Sequence, residues 1–190
     1  MRCFGLSAGL LVVGLAVTGC SPFREVATRP SQPIDRHGAP VVAVPRDLRG
    51  RDRDPCRRLL TNEQLLSLDL PPSSAKSAST VGIPDCTWTA GNERIVTVSV
   101  WLGRDLLINT YRVRLFDVFE PTSVGPLPAV VQKSSPDAIA CTVSTGVADG
   151  QGFETTWTEL ARASGRSTAD PCERAKAVAE TVVGNLPPLR

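Results

Sequence analysis

The chain has 190 residues, with 21 basic side chains, 19 acidic ones and a single histidine, and hydrophobic residues make up 42%. So balanced a charge excludes nucleic acid or a strongly charged surface as the main partner, and the length suits one domain with a sizeable core. Arginine outnumbers lysine 18 to 3, which reads as codon usage and not as a functional patch.

At the N-terminus Arg2 precedes a mostly apolar run from Phe4 to Val17. The run fits the h-region of a signal peptide and is too short for a membrane span, which needs about 20 apolar residues. It closes in Val17-Thr18-Gly19-Cys20, which resembles a bacterial lipobox: an aliphatic residue, two small ones, then the cysteine that takes the lipid. Residues 1–19 are therefore expected to be removed and Cys20 to carry a diacylglyceryl group with palmitate-type chains. At about 0.8 kcal/mol per buried CH₂ such chains hold a protein stably on a membrane. The expected location is the extracytoplasmic face of the cell membrane, reached through the lipid on Cys20. Removal of residues 1–19, in which Arg2 is the one charged side chain, leaves 171 residues (190 − 19) with a net charge near +1.

From Ser21 to Arg53 the chain is polar and broken by Pro22, Pro30, Pro33, Pro40 and Pro45. With no apolar periodicity, residues 20–53 are expected to form a disordered tether. Such a segment spans roughly 30 Å as a coil and up to about 100 Å as polyproline II. Val41, Val42 and Val44 alternatively make a short edge strand.

Residues 54–190 are expected to form one α+β domain. Asp54-Pro55-Cys56 supplies a cap and a first-turn proline, and Leu59, Leu60, Leu66 and Leu70 follow at near-helical spacing up to Pro71-Pro72. Ser73 to Thr80 reads as a loop. Cys86 to Ala90 and Ile95 to Leu102 read as strands joined at Gly91-Asn92, with Val96, Val98 and Val100 on one face. Asp105 to Leu115 is assigned as helix, although its β-branched content also fits a strand. Short strands follow at Val118 to Val124 and Ala129 to Lys133. A hairpin joins Ile139–Val147 to Phe153–Leu160 across Asp149-Gly150. Asp170-Pro171-Cys172-Glu173 repeats the opening helix signature, and Ala175, Ala179, Val182, Val183 and Leu186 form its apolar stripe before Pro187-Pro188. The expected architecture is an antiparallel sheet packed by N- and C-terminal helices.

Cys3 leaves with the leader and Cys20 is lipidated, so Cys56, Cys86, Cys141 and Cys172 remain for two disulfides in an oxidising compartment. Of the three connectivities, Cys56 with Cys86 and Cys141 with Cys172 is favoured, because each ties a helix start to a nearby strand. Loops of about 30 residues contribute roughly 3–4 kcal/mol each on a chain-entropy model. A redox pair or a metal site finds no Cys-x-x-Cys spacing, and His37 lies in the tether.

The lipobox, the proline-rich segment, Asp54-Pro55-Cys56 before Leu59-Leu60-Thr61, Cys86-Thr87-Trp88, Cys141, and Asp170-Pro171-Cys172 before an Ala-rich helix together resemble the actinobacterial lipoproteins of domain of unknown function family 3558. The resemblance covers residues 54–188. It implies a lipoprotein with a four-cysteine framework and a fold similar to PsbP-like α-β sandwiches, and it carries over no catalytic residue.

No catalytic residue, metal or cofactor is expected. A Ser-His-Asp site has no histidine in the domain, Gly150-Gln151-Gly152 reads as a hairpin turn, and pairs such as Asp117 with Glu120 or Glu154 with Glu159 read as solvated surface. Binding needs only a groove or an apolar patch, and Trp101 with Tyr111, Arg112 and Arg114 is the candidate surface. The expected function is a binding module for an envelope protein, glycan or lipid. A structural accessory of an envelope complex is the alternative, and a hydrolase using carboxylates comes third.

Overall fold

The computed structural model describes residues 34–163, 165 and 167–190. The expected leader 1–19, Cys20 and the segment up to residue 33 lie outside the described residues. The elements in chain order are α1 (Pro55–Arg58), α2 (Asn62–Ser67), β1 (Lys76–Thr80), β2 (Ile83–Ala90), β3 (Arg94–Leu102), α3 (Leu106–Val113), β4 (Val118–Val124), β5 (Leu127–Lys133), β6 (Ala140–Ala148), β7 (Gln151–Glu159), α4 (Leu160–Ala163) and α5 (Pro171–Gly184). The strands form one seven-stranded antiparallel sheet in the order β1-β2-β3-β7-β6-β5-β4, which makes the fold α+β, as the sequence implies.

Strand alternation divides the sheet into two faces of different chemistry. One face presents Trp88, Val96, Val98, Val100, Val143, Phe153 and Trp157, all fully buried against Ala175, Val178, Ala179 and Val182 of α5. α5 begins where Asp170 accepts the Cys172 N–H at 3.0 Å, with Pro171 in its first turn. The disulfides close as the sequence favours, Cys56 to Cys86 and Cys141 to Cys172, so each of α1 and α5 is fixed at its start to a strand of this core.

Three expectations change. The helix read from Pro55 to Leu70 is two short helices, because Thr61 forms a capping box with Gln64 and starts a new one. The loop over Ser73–Thr80 contains β1, whose five residues are all exposed and, apart from Ala78, polar, so no apolar alternation marks it. The proline-rich segment also does not stay free up to Arg53. Leu48 is fully buried, which contributes about 1.5–3 kcal/mol for a side chain of that size. The backbone N–H of Asp47 donates to Pro187, that of Leu189 donates to Pro45, and Arg46 bridges Pro188. Val42 packs on the core without forming the alternative strand with Val41 and Val44. Prolines prevented a periodic pattern but not docking, since the segment is held by isolated bonds: besides those to the C-terminal tail, the Arg46 N–H donates to the Val147 carbonyl and the Leu48 N–H to the Gln151 side chain.

Candidate functional site

The face opposite α5 is covered at one end by α3, which packs on β6 and β7. Asp105 caps the helix by accepting the Ile108 N–H at 3.0 Å. Away from the helix this face is lined by hydroxyls. Thr87, Thr97, Thr156 and Thr142 stand side by side across β2, β3, β7 and β6, with bonds of 2.9 Å between the hydroxyls of Thr87 and Thr97 and of Thr142 and Thr156. The neighbouring row holds Asp85, Ser99, Glu154 and Ser144 on the same four strands.

A hollow of about 320 Å³ opens on these rows. Asp85, Thr97, Ser99 and Glu154 line it from the strands, and Thr80, Val81, Ile83 and Trp101 stand around them. Glu154 has both carboxylate oxygens engaged: Oε1 accepts from the Ser144 hydroxyl at 2.9 Å and Oε2 from the Trp101 indole N–H at 3.2 Å. Gln132 donates to Ser144 at 2.9 Å and completes a polar chain across the sheet. Burial pushes the Glu154 carboxyl above its ordinary range, against the opposing pull of the bonds from Ser144 and Trp101. Asp85 is only 6% exposed, with the Thr80 hydroxyl 3.5 Å from its Oδ2.

The rim of the hollow has an unusual turn. Val81 sits at φ 52° and Gly82 at φ 78° between β1 and β2, and Val81 is 92% exposed. A β-branched residue held left-handed costs about 1–2 kcal/mol, and here no burial offsets that cost. That backbone is what the two-residue turn between the paired Thr80 and Ile83 requires, with positive φ at both central residues.

The four residues of the candidate surface do not lie together. Trp101 stands on β3 at the hollow, whereas Tyr111 is almost buried against Ala39, Leu107 and Val130. Phe119 of β4 meets the Tyr111 ring edge-on at 5.1 Å, and the Arg114 guanidinium lies 4.6 Å from the Phe119 ring centre. Arg112 is exposed and bonds Asn109 at 2.8 Å. β3 and β4 are four strand positions apart, about 19 Å at the usual strand spacing, so these residues form two sites. The sequence reading missed Asp85 and Val81, and it took Glu154, paired with Glu159, for solvated surface. Their signals were slight: two carboxylates on the polar side of alternating strands, and a Val-Gly pair between β-forming runs.

One carboxylate pair considered from sequence separates. Alternation puts Glu154 and Glu159 on opposite faces, and Glu159 accepts the Trp157 indole N–H at 3.1 Å on the core side. Glu120 lies at a larger hollow of about 430 Å³ beside α5, where Lys133 and Lys176 mingle with Asp170 and Glu173. None of its polar lining is buried, so that hollow imposes no fixed geometry on a ligand. Among the described residues no three His, Cys, Asp or Glu side chains are grouped to hold a metal ion. No helix among them is long and apolar enough to cross a membrane.

Fold and site together define a disulfide-stapled α+β domain with one apolar, helix-covered sheet face and one hydroxyl-lined face that carries an acidic hollow. A family model described as "Protein of unknown function (DUF3558)" matches residues 15–185, and the chain belongs to that family. No curated protein and no solved structure matches it.

Proposed function

We propose that the protein is a lipid-anchored envelope lipoprotein that binds a donor-rich, uncharged or cationic ligand, such as an envelope glycan, on the hollow around Trp101. The observation that carries this reading is the pairing of two recessed carboxylates, Asp85 and Glu154, with the half-buried Trp101 and no basic side chain in the lining. Such a lining accepts hydrogen bonds from hydroxyl or ammonium groups and repels anions. A few fixed polar groups beside an aromatic ring favour orientation of a bound sugar ring over capture of an oily ligand. Binding is favoured over turnover because both oxygens of Glu154 are already bonded and the one histidine, His37, lies in a turn beside Asp35. Anchoring is supported by Val17-Thr18-Gly19-Cys20.

The two parts separate in one experiment. Cys20→Ala is expected to move the protein out of the membrane fraction. Retention of the freed protein on isolated cell-wall material then reads the binding face alone, and is expected to drop when Trp101→Ala is added. Retention unaffected by Trp101→Ala overturns the binding site, and membrane partitioning unaffected by Cys20→Ala overturns the anchor.

A further inference from the structure

We infer that the segment after α3, Arg112 to Phe116, is a membrane-contact patch that docks the domain on anionic phospholipid. The inference rests on the lipid anchor proposed above. The patch combines exposed apolar and basic side chains: Val113 is 41% exposed, Leu115 78% and Phe116 39%, and Arg112 and Arg114 are exposed between and beside them. Leu115 and Phe116 find no place in either buried cluster, so they present apolar surface to solvent. Alternating cationic and large apolar groups match an interface of anionic headgroups over acyl chains.

The position of the patch relative to the anchor makes lipid the fitting occupant. The described domain begins at about Asp35, not Asp54. Its first residues lie on α3: Arg36 pairs with Asp105 at 3.7 Å, and a Cβ on Gly38 would stand 3.8 Å from the Tyr111 ring. That ring lies 5.9 Å from the Arg114 guanidinium. The chain therefore joins the domain one side chain away from the patch. From Cys20 to Asp35 there are 15 residues (35 − 20), which span about 50 Å even when fully extended. A lipid on Cys20 thus keeps this end of α3 within reach of the bilayer, and tethering raises its effective concentration there, so a small patch suffices. Each basic residue close to an anionic surface strengthens binding by about fivefold, and that gain falls off with salt.

The test uses the chain from Cys20 onward, in which Cys20 is the one thiol outside the two disulfides. Coupling that thiol to a maleimide lipid tethers the protein to vesicles whether or not cells lipidate it, so failure of docking and failure of the anchor remain distinguishable. Phe116→Trp reports contact through quenching by brominated phosphatidylcholine, compared with the parent chain, whose tryptophans lie elsewhere. Quenching above the parent is expected in vesicles containing phosphatidylglycerol. It should fall several-fold in neutral vesicles, at high salt, or on adding Arg112→Glu, at an exposed side chain that bonds Asn109. Quenching no greater than the parent overturns the proposal. A shift of Phe116→Trp emission with protein concentration in the absence of vesicles also overturns it, by showing that a second copy is the occupant.

Discussion

Gly146 and Gly152 face each other across β6 and β7 directly beneath α3. A Cβ at Gly146 would lie 2.5 Å from Leu107 Cδ1, and one at Gly152 would lie 2.7 Å from Leu106 Cβ and 2.9 Å from the Thr145 carbonyl oxygen. The helix thus seats on bare backbone, and the position of α3 decides how much of the hydroxyl-lined face remains open.

Gly152→Ala should destabilise the fold by about 1–3 kcal/mol, the usual cost of overpacking. Gly146→Ala should cost less, because the tip of Leu107 can swing aside while Leu106 Cβ and a backbone oxygen cannot. Urea unfolding midpoints of the two variants check the order.

The disulfides span 30 and 31 residues. Removing either by a double Cys→Ser change should lower stability by about 3–4 kcal/mol on the chain-entropy model. The check is thermal unfolding of each double variant against the parent under non-reducing conditions.

Thr145 and Thr155 are fully buried on the α5 face, and neither hydroxyl meets a hydrogen-bond partner. An unsatisfied buried hydroxyl costs about 1–3 kcal/mol, so Thr155→Val, which keeps the branched shape, should raise stability. A lowered unfolding midpoint for Thr155→Val would contradict that assignment.

The apolar alternation of β2, β3, β6 and β7 and the Asp-Pro caps of α1 and α5 were legible because burial and capping act locally. β1 was not, since its exposed and mostly polar residues are held in the sheet by pairing to β2 alone. Gly152 read as turn chemistry, although its smallness serves a helix more than 40 positions earlier in the chain. The acidic hollow was equally hidden, because Asp85 and Glu154 lie 69 residues apart (154 − 85) and only strand order brings them onto one row. Trp101 lies at the hollow, whereas Tyr111, Arg112 and Arg114, grouped with it from sequence, lie on and just after α3 toward the β4 edge of the same face.

Glu154 gives the fold a pH dependence of known sign. Burial raises its folded pKa above the ordinary 4.5, so between those two values the folded state holds a proton that the unfolded state has lost. Its stabilising contribution is fully present below pH 4.5 and is lost as pH rises through the folded value. Glu154→Gln removes that ionisation, so its stability relative to the parent should rise from acid to neutral pH. A difference that stays flat across that range would mean that Glu154 is solvated.

The proposed ligand sits on the acidic hollow of the hydroxyl-lined face. Amide chemical shifts of the folded domain, followed by NMR during titration with neutral envelope oligosaccharides, test it most directly. Shifts are expected to concentrate at residues 80–85, 97–101 and 154 and to be lost in Asp85→Asn and in Trp101→Ala, with no response to polyanions. Shifts confined to the hollow at Lys133 and Lys176, or a stronger response to polyanions than to neutral sugars, would contradict it.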